Sequence, residues 1–335
     1  MKEDLCRLLC CPICYGKLDW TVGERSGDHI EEGEARCKGC GAHYPVREGI
    51  GLFLTSDLPR RDLWEQVDSE LALYLREHPE VEQRLLQAPL ETLGPADLFF
   101  RALVLEERGR LAEARAAAKR AQIGLYTPEY RACYESQLHH VVRHLSSSAD
   151  KDEPIIDLAS GQGELVERLA QGLSHPIVAT DFSPRVLRRD RRFFEFLGLE
   201  TQISLLAFDA RKTPFKDGAI KTMTTNLELA NIEHPGDLLK ELRRIISGEF
   251  LAIVCFYPED DEANAAAIRE LGLEPFLYRD SALELFAEVG FEVKLENVRK
   301  GRALPTPKSE ILEGAGIDAL PVAETELEWG TLVAS

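Results

Sequence analysis

The chain has 335 residues, 44% of them hydrophobic, and a net charge of −18 with a pI near 5.0. That length exceeds one ordinary domain of about 100–150 residues, and the acidity argues against a broad polyanion-binding face. No stretch approaches the ~20 consecutive apolar residues of a membrane span, and the charged start Met1-Lys2-Glu3-Asp4 lacks an apolar signal core. A cytoplasmic protein of two or three units is expected.

Six of the eight cysteines fall in the first forty residues: Cys6, Cys10, Cys11, Cys14, Cys37 and Cys40. In a reducing compartment, metal ligation is favoured over disulfides. Cys11-Pro12-Ile13-Cys14 and Cys37-Lys38-Gly39-Cys40 are two Cys-x-x-Cys pairs separated by a stretch suited to a hairpin. Four thiolates fill a tetrahedral zinc shell and leave no open position, so the predicted role of Cys11, Cys14, Cys37 and Cys40 is structural. Cys6 and Cys10 read as small apolar packing residues, and so do Cys133 and Cys255 farther along. His43 is not needed as a ligand beside a complete quartet.

With the segment Gly41-Ala42-His43-Tyr44-Pro45-Val46-Arg47-Glu48-Gly49-Ile50, these cysteines resemble the zinc-ribbon family of methyltransferase activator proteins over roughly the first fifty-five residues. Members of that family bind and stabilise methyltransferases, so the resemblance implies docking or folding support and a possible protein partner. In architecture alone, a ribbon ahead of a methyltransferase domain is similar to the large-subunit rRNA guanine methyltransferases. The ribbon is assigned to residues 1–58.

Residues 59–148 read as a helical linker or cap. Trp64, Val67, Leu71 and Leu75 repeat at three- and four-residue steps as one buried stripe. Pro79, Pro89 and Gly94-Pro95 break the region into short helices. Thr127-Pro128 predicts an N-cap and first-turn proline for a helix reaching Leu145. Tyr126, Tyr130 and Tyr134 share a helical spacing that suits packing or the wall of a pocket. His139, His140 and His144 lack a neighbouring carboxylate cluster in the sequence and read as solvated or core histidines. A polar linker, Ser146 to Asp152, leads to the last unit, residues 149–335.

From residue 154 strands alternate with helices, which predicts a doubly wound α/β sheet. Pro154-Ile155-Ile156-Asp157 is a short apolar strand ending in a carboxylate, followed by the turn Ala159-Ser160-Gly161-Gln162-Gly163. Ile177-Val178-Ala179-Thr180 ends in Asp181, and the third strand ends at Phe208-Asp209-Ala210. Carboxylates at successive strand ends suit a nucleoside-containing cofactor. Ser183-Pro184 supplies a cap and first-turn proline for the next helix, so Asp181 is expected to stay available to a ligand. A fourth strand runs into Asn226, a fifth covers 250–256, and two closing strands read as a hairpin at one edge.

That order of seven strands resembles the class I S-adenosylmethionine-dependent methyltransferases, a Rossmann-like sheet, over about residues 125–335. The resemblance implies that Asp157, Gly161 and Gly163 hold the amino-acid part of the cofactor, together with the loop position Ala159. It implies that Asp181 and the adjacent Phe182 hold the ribose, and that Asp209 and Ala210 lie beside the adenine. Asp209 to Asp217 echoes the family's Asp-Ala-x-x-Leu-Pro-Phe-x-Asp segment. The chain departs from the family at Ala159, where glycine is usual, and at Ser247-Gly248, where a Pro-Gly-Gly turn is usual. A nicotinamide-binding fold competes poorly, because the third glycine of its loop and a Tyr-x-x-x-Lys pair are both missing.

The end of strand four makes Asn226 and Glu228 the candidates to orient or deprotonate a methyl acceptor. Missing the Asn-Pro-Pro-Tyr type motif lowers the case for a base exocyclic amine as acceptor. Arg185, Arg188, Arg189 and Arg192 share one helix face, with Arg191 beside them, and read as a solvated face or an RNA phosphate stripe. The expected function is methyl transfer to an unidentified small molecule or RNA, with structural zinc. The alternative is a non-catalytic partner protein that binds another protein through its ribbon.

Overall fold

The computed structural model describes residues 1–55, 71–148 and 151–335. Trp64 and Val67 of the predicted stripe lie outside these residues. Leu75 is buried, and Leu71 packs on the same apolar cluster as Leu85, Phe100 and Ile311.

Eleven strands form one sheet: β1 Leu18–Ser26, β2 His29–Cys37, β3 His43–Arg47, β4 Ile50–Leu52, β5 Ile155–Asp157, β6 Ile177–Asp181, β7 Ile203–Ala207, β8 Ile220–Asn226, β9 Ile246–Phe256, β10 Val293–Ala303 and β11 Thr325–Ala334. Their order is β1-β2-β3-β4-β7-β6-β5-β8-β9-β11-β10. The seven expected strands are β5 to β11, and the closing pair is an antiparallel hairpin at one edge. The expectation of seven is therefore corrected to eleven, because the ribbon contributes its own four. β4 pairs in parallel with β7, Ile50 opposite Leu205 and Leu52 opposite Ala207.

This junction has a steric reason. A Cβ built on Gly51 would sit 2.6 Å from Leu206 Cδ2 and 3.0 Å from Met1 Sδ. Glycine is what lets β4 lie so close. The apolar side chains Met1, Leu5, Tyr44, Val46 and Phe53 then join Val178, Leu206 and Phe208 in one continuous core. Burial of that seam removes the edge that β7 would otherwise present to another chain.

β5 has Ile155 and Ile156 buried on opposite faces, the mark of a central parallel strand covered by helices on both sides. The helix Pro128–Ser148 and the helix Glu164–Gly172 cover one face; Pro235–Ile245 and Arg279–Glu288 cover the other. The predicted caps form. Thr127 Oγ1 accepts from Tyr130 N at 3.1 Å, and Ser183 Oγ accepts from Val186 N at 3.4 Å. Pro235–Ile245 runs directly into β9, so Ser247-Gly248 lies inside a strand where a turn would precede it. A Cβ on Gly248 would be 2.1 Å from the Lys221 carbonyl oxygen, so the β8–β9 approach requires glycine there.

Helices Pro79–Gln87, Pro95–Glu107 and Leu111–Leu125 form the cap. Buried Asp97 accepts from Ser309 Oγ at 2.5 Å and Ile311 N at 3.1 Å, tying the cap to the long loop before β11. Among the described residues, no helix is long and apolar enough to cross a membrane.

Candidate cofactor pocket and zinc centre

The sulfurs of Cys11, Cys14, Cys37 and Cys40 converge, all within 4.8 Å of one another. Cys11 and Cys40 are 3.6 Å apart and Cys14 and Cys37 3.4 Å, near the roughly 3.8 Å edge of a tetrahedron with Zn–S bonds of about 2.3 Å. Burial opposes ionisation of Cys37, but the N–H groups of Cys40 and Gly39 and neighbouring thiols outweigh it and bring its pKa to about 6. Thiolate is the ligand form, and Cys37 is the quartet member set toward it, whereas at Cys14 the Gly16 N–H is outweighed by hydrogen bonds to neighbouring thiols, which raise its pKa. Gly16 is steric here as well, since a Cβ would stand 3.1 Å from Cys14 Sγ. Cys10 points away from the quartet, its thiol donating to the Phe215 carbonyl at 3.3 Å. Cys6 packs against the ribbon core.

The ribbon knuckle touches the sheet domain at a second place. Cys10 N donates to Pro214 O at 2.7 Å and Lys216 N to Leu8 O at 3.0 Å. The Arg244 guanidinium lies 4.3 Å from the centre of the Tyr15 ring. The segment that echoes the cofactor family is therefore braced by the zinc module.

A pocket opens at the carboxyl ends of β5, β6 and β7. Its lining includes Ala159, Asp181, Phe182, Asp209, Ala210 and Glu228, six of the predicted site residues, together with Leu158 and Ile232. Asp157 stands immediately behind this wall. Its Oδ1 accepts from Thr224 Oγ1 at 2.6 Å, its Oδ2 has no partner among the described residues, and burial pushes its pKa to about 7.

The loop is stitched to β6. Thr180 Oγ1 donates to Asp157 O at 2.8 Å and accepts from Ala159 N at 3.4 Å. Ala159 holds φ 53°, the left-handed conformation for which glycine is favoured. Gly161 and Gly163 do not line the pocket. Gly163 faces Phe194, where a Cβ would approach to 2.9 Å.

Asp181 is more engaged than expected. Ser183 does cap its helix, yet Asp181 also accepts from Ser183 N at 2.8 Å and from Gly161 N at 3.2 Å. It holds the loop as well as facing the pocket. Asp209 is gripped by Arg211 through Nε–Oδ1 at 2.9 Å and Nη2–Oδ2 at 2.7 Å. Arg211 is a site residue that sequence reasoning does not single out; its place two positions after Asp209 is the only signal for it.

Glu228 and Asn226 separate. Glu228 lines the cofactor pocket, and burial, with Asp181 and Asp157 adding to it against an Asn231 hydrogen bond, raises its pKa to about 7. Asn226 turns instead toward the helix Pro128–Ser148, donating from Nδ2 to Tyr134 OH at 2.7 Å, which donates to Glu164 Oε2 at 3.1 Å. Around it stand Tyr126 stacked on Tyr130 at 4.6 Å, and Trp329 edge-on to Tyr130 at 4.8 Å. Burial raises the pKa of Tyr130 and Tyr134 well above the usual value, and the charge of Glu228 contributes at Tyr134. Both tyrosines still keep part of their surface in contact with solvent. Asn226 Oδ1 and Trp329 Nε1 are buried without partners among the described residues. Aromatic rings thus pack together beside Asn226, with one buried acceptor and one buried donor lacking partners among the described residues.

The arginine helix is solvated only in part, with Arg188 and Arg192 exposed and several of its arginines paired with carboxylates. Arg185 pairs with Glu107 at 3.4 Å, Arg188 with Glu48 at 2.9 Å and Arg191 with Glu31 at 2.9 Å. Buried Arg189 donates to the Gly161 carbonyl at 3.0 Å. Arg192 lies exposed on the surface.

Residues 155–248 match the family model of a methyltransferase domain, and residues 2–49 match that of Trm112p-like proteins. The chain is similar to the ubiquinone/menaquinone biosynthesis C-methyltransferase UbiE of Pseudoalteromonas translucida, 27% identical over 125 residues, covering 36% of this chain and 50% of that one. Against its counterpart in Cupriavidus taiwanensis it is 31% identical over 94 residues, covering 28% and 38%. The chain spans half or less of the length of these relatives. Among solved structures, a geranyl diphosphate C-methyltransferase from Streptomyces coelicolor aligns with TM-score 0.46 and 13% identity over 66% of this chain and 78% of that one. An Aquifex aeolicus methyltransferase aligns with TM-score 0.41 and 14% identity, over 62% and 93%. The chain thus joins a four-cysteine region similar to Trm112p-like proteins to an α/β region similar to methyltransferase domains.

Proposed function

We propose that the chain transfers a methyl group from S-adenosylmethionine to a small, planar, largely apolar acceptor. The observation that carries this is the pocket at three successive strand ends, where Asp181 and Asp209 face the cavity and the unpartnered Oδ2 of Asp157 lies directly behind. These groups suit a cofactor with an amino group, two ribose hydroxyls and an adenine. When bound, that cofactor supplies an electrophilic methyl on a sulfonium.

The protein's own contribution is positioning and proton handling. Glu228, with a pKa near 7, is poised to take a proton from the acceptor at neutral pH. The UbiE relatives are named for C-methylation in quinone biosynthesis, and a ring acceptor is in keeping with that name. RNA is the weaker choice because Arg185, Arg188 and Arg191 already pair with Glu107, Glu48 and Glu31. A purely non-catalytic partner role is also weaker, since strand β4 of the ribbon is already paired within its own chain.

The test is calorimetric titration of S-adenosylhomocysteine into the zinc-loaded protein, followed by incubation with methyl-labelled cofactor and a fractionated cell extract. One binding event per chain, weakened in Asp181→Ala, and label in the small-molecule fraction are expected. Absence of binding heat overturns the cofactor assignment; label confined to RNA overturns the acceptor class.

A further inference from the structure

A second cluster of metal-ligating side chains lies away from both the ribbon and the pocket. His140 and His144 are one turn apart on the helix Pro128–Ser148, hence on one face. Their partners come from strands distant in sequence. His140 Nε2 is 3.0 Å from Glu296 Oε2 of β10, and His144 Nδ1 is 3.5 Å from the same oxygen. Donor atoms of the three residues all lie within 4.8 Å of one another. We propose that His140, His144 and Glu296 bind one divalent cation of the zinc class.

The separations suit this. Ligands at about 2.0–2.1 Å from a tetrahedral zinc stand roughly 3.3 Å apart, so small side-chain movements close the site. Two imidazoles and one carboxylate form a borderline donor set, matched to zinc and its transition-metal neighbours rather than to magnesium or calcium. Side-chain exposures of 22%, 19% and 36% for His140, His144 and Glu296 leave an approach from solvent and room for water as the remaining ligand.

Two features prepare the site. His144 presents its other nitrogen, Nε2, to Glu249 Oε2 of β9 at 2.9 Å. A carboxylate on that side fixes the proton on Nε2 and turns the Nδ1 lone pair toward Glu296, the orientation a metal needs. Glu249 is itself held by Ser148 Oγ at 2.9 Å.

Secondly, β10 carries a register shift between Glu296 and Arg299, with Asn297 in the left-handed region at φ 52°. Bulges re-aim side chains. Here Asn297 Nδ2 donates to Ser136 O and to Gln137 Oε1, each at 3.1 Å, and Gln137 Nε2 returns a bond to Asn297 O at 2.9 Å. The strand is thereby locked to the helix one turn before His140, which sets Glu296 against both histidines. His139 plays no part; it points outward and binds Glu135 O on its own helix at 2.8 Å. A cation here would clamp the half of the helix that follows Tyr130 and Tyr134 to strand β10.

The rival is a proton-mediated His–Glu cluster with no metal, and the experiment separates the two. Cobalt(II) is titrated into full-length protein that already holds one zinc per chain in the ribbon. Binding of one further equivalent is expected, with weak visible d–d bands and no thiolate charge-transfer absorption. His140→Ala/His144→Ala should abolish it, and Glu249→Gln should weaken it by about tenfold. As a check on folding, added zinc should raise the melting temperature of the zinc-loaded wild type and leave that of the double variant unchanged. No second equivalent, or cobalt binding and a zinc-induced shift that survive in the double variant, overturns the proposal.

Discussion

Replacing Asp157 by asparagine tests the electrostatics of the loop directly. Asp157 is 1% exposed, accepts one hydrogen bond and leaves Oδ2 without a partner among the described residues. Burial therefore favours its protonated form, moving the pKa from 3.8 to about 7. A carboxyl raised in the folded state lends its full stability below pH 3.8 and loses it as pH climbs through the folded value. The total loss is on the order of 4 kcal/mol, at about 1.4 kcal/mol per pH unit between the two pKa values. Roughly 2 kcal/mol of it falls between about pH 5.5 and pH 8.

An asparagine side chain at this position cannot ionise, so its own cost, an amide nitrogen where Oδ2 lacked a partner, is the same at both pH values. Urea unfolding of wild type and Asp157→Asn at about pH 5.5 and pH 8 thus isolates the charge, because every other carboxylate cancels in the difference. The variant should gain about 2 kcal/mol on the wild type as pH rises, about 4–8 °C in Tm for a domain of this size. The same variant should bind S-adenosylhomocysteine about 10–100-fold more weakly, the worth of a hydrogen bond to a charged group. A stability gap that stays constant across pH would mean that Asp157 is solvated or paired in the folded protein, and the reasoning would fail.

Other consequences are separable. Glu228→Gln should lower methyl incorporation into the extract by about 100-fold and remove a rise in rate as pH passes about 7; an unchanged pH profile would assign the proton transfer elsewhere. Chelating the ribbon zinc should also weaken S-adenosylhomocysteine binding, because Cys10 N–Pro214 O and Lys216 N–Leu8 O brace the segment carrying Asp209, at about 1 kcal/mol each. Equal affinity in metal-free, still-folded protein would uncouple the two. Gly51→Val should cost about 1–3 kcal/mol by overpacking against Leu206 and Met1, read as a lower urea midpoint and faster proteolysis of the ribbon; an unmoved midpoint would show that β4 is not seated on β7.

What was legible in the sequence was local. Asp157, Asp181 and Asp209 announced themselves because each closes a short apolar strand, and Thr127-Pro128 and Ser183-Pro184 because capping is decided within one turn. Ala159 looked like a departure, but its φ of 53° shows the loop keeping its shape at the left-handed cost of roughly 1–2 kcal/mol. Pairings across long separations were not legible: β4 on β7, Glu296 on His140, Tyr134 on Asn226. Each is made by topology and leaves no spacing to read.

The arginine helix shows how far one helix face can mislead. Periodicity established that Arg185, Arg188, Arg189 and Arg192 share a side, but could not say what faces it. Composition held the missing information, since 58 acidic residues against 40 basic ones make a carboxylate the commonest neighbour available to any arginine. Glu31 and Glu48 arrive from the ribbon and Glu107 from the cap, so this helix becomes the seam on which both extra modules are seated. An isolated exposed pair is worth at most about 1 kcal/mol, but here three pairs flank a buried arginine that holds the Gly161 carbonyl. The same helix thus carries contacts to the ribbon, to the cap and to the loop carbonyl of Gly161.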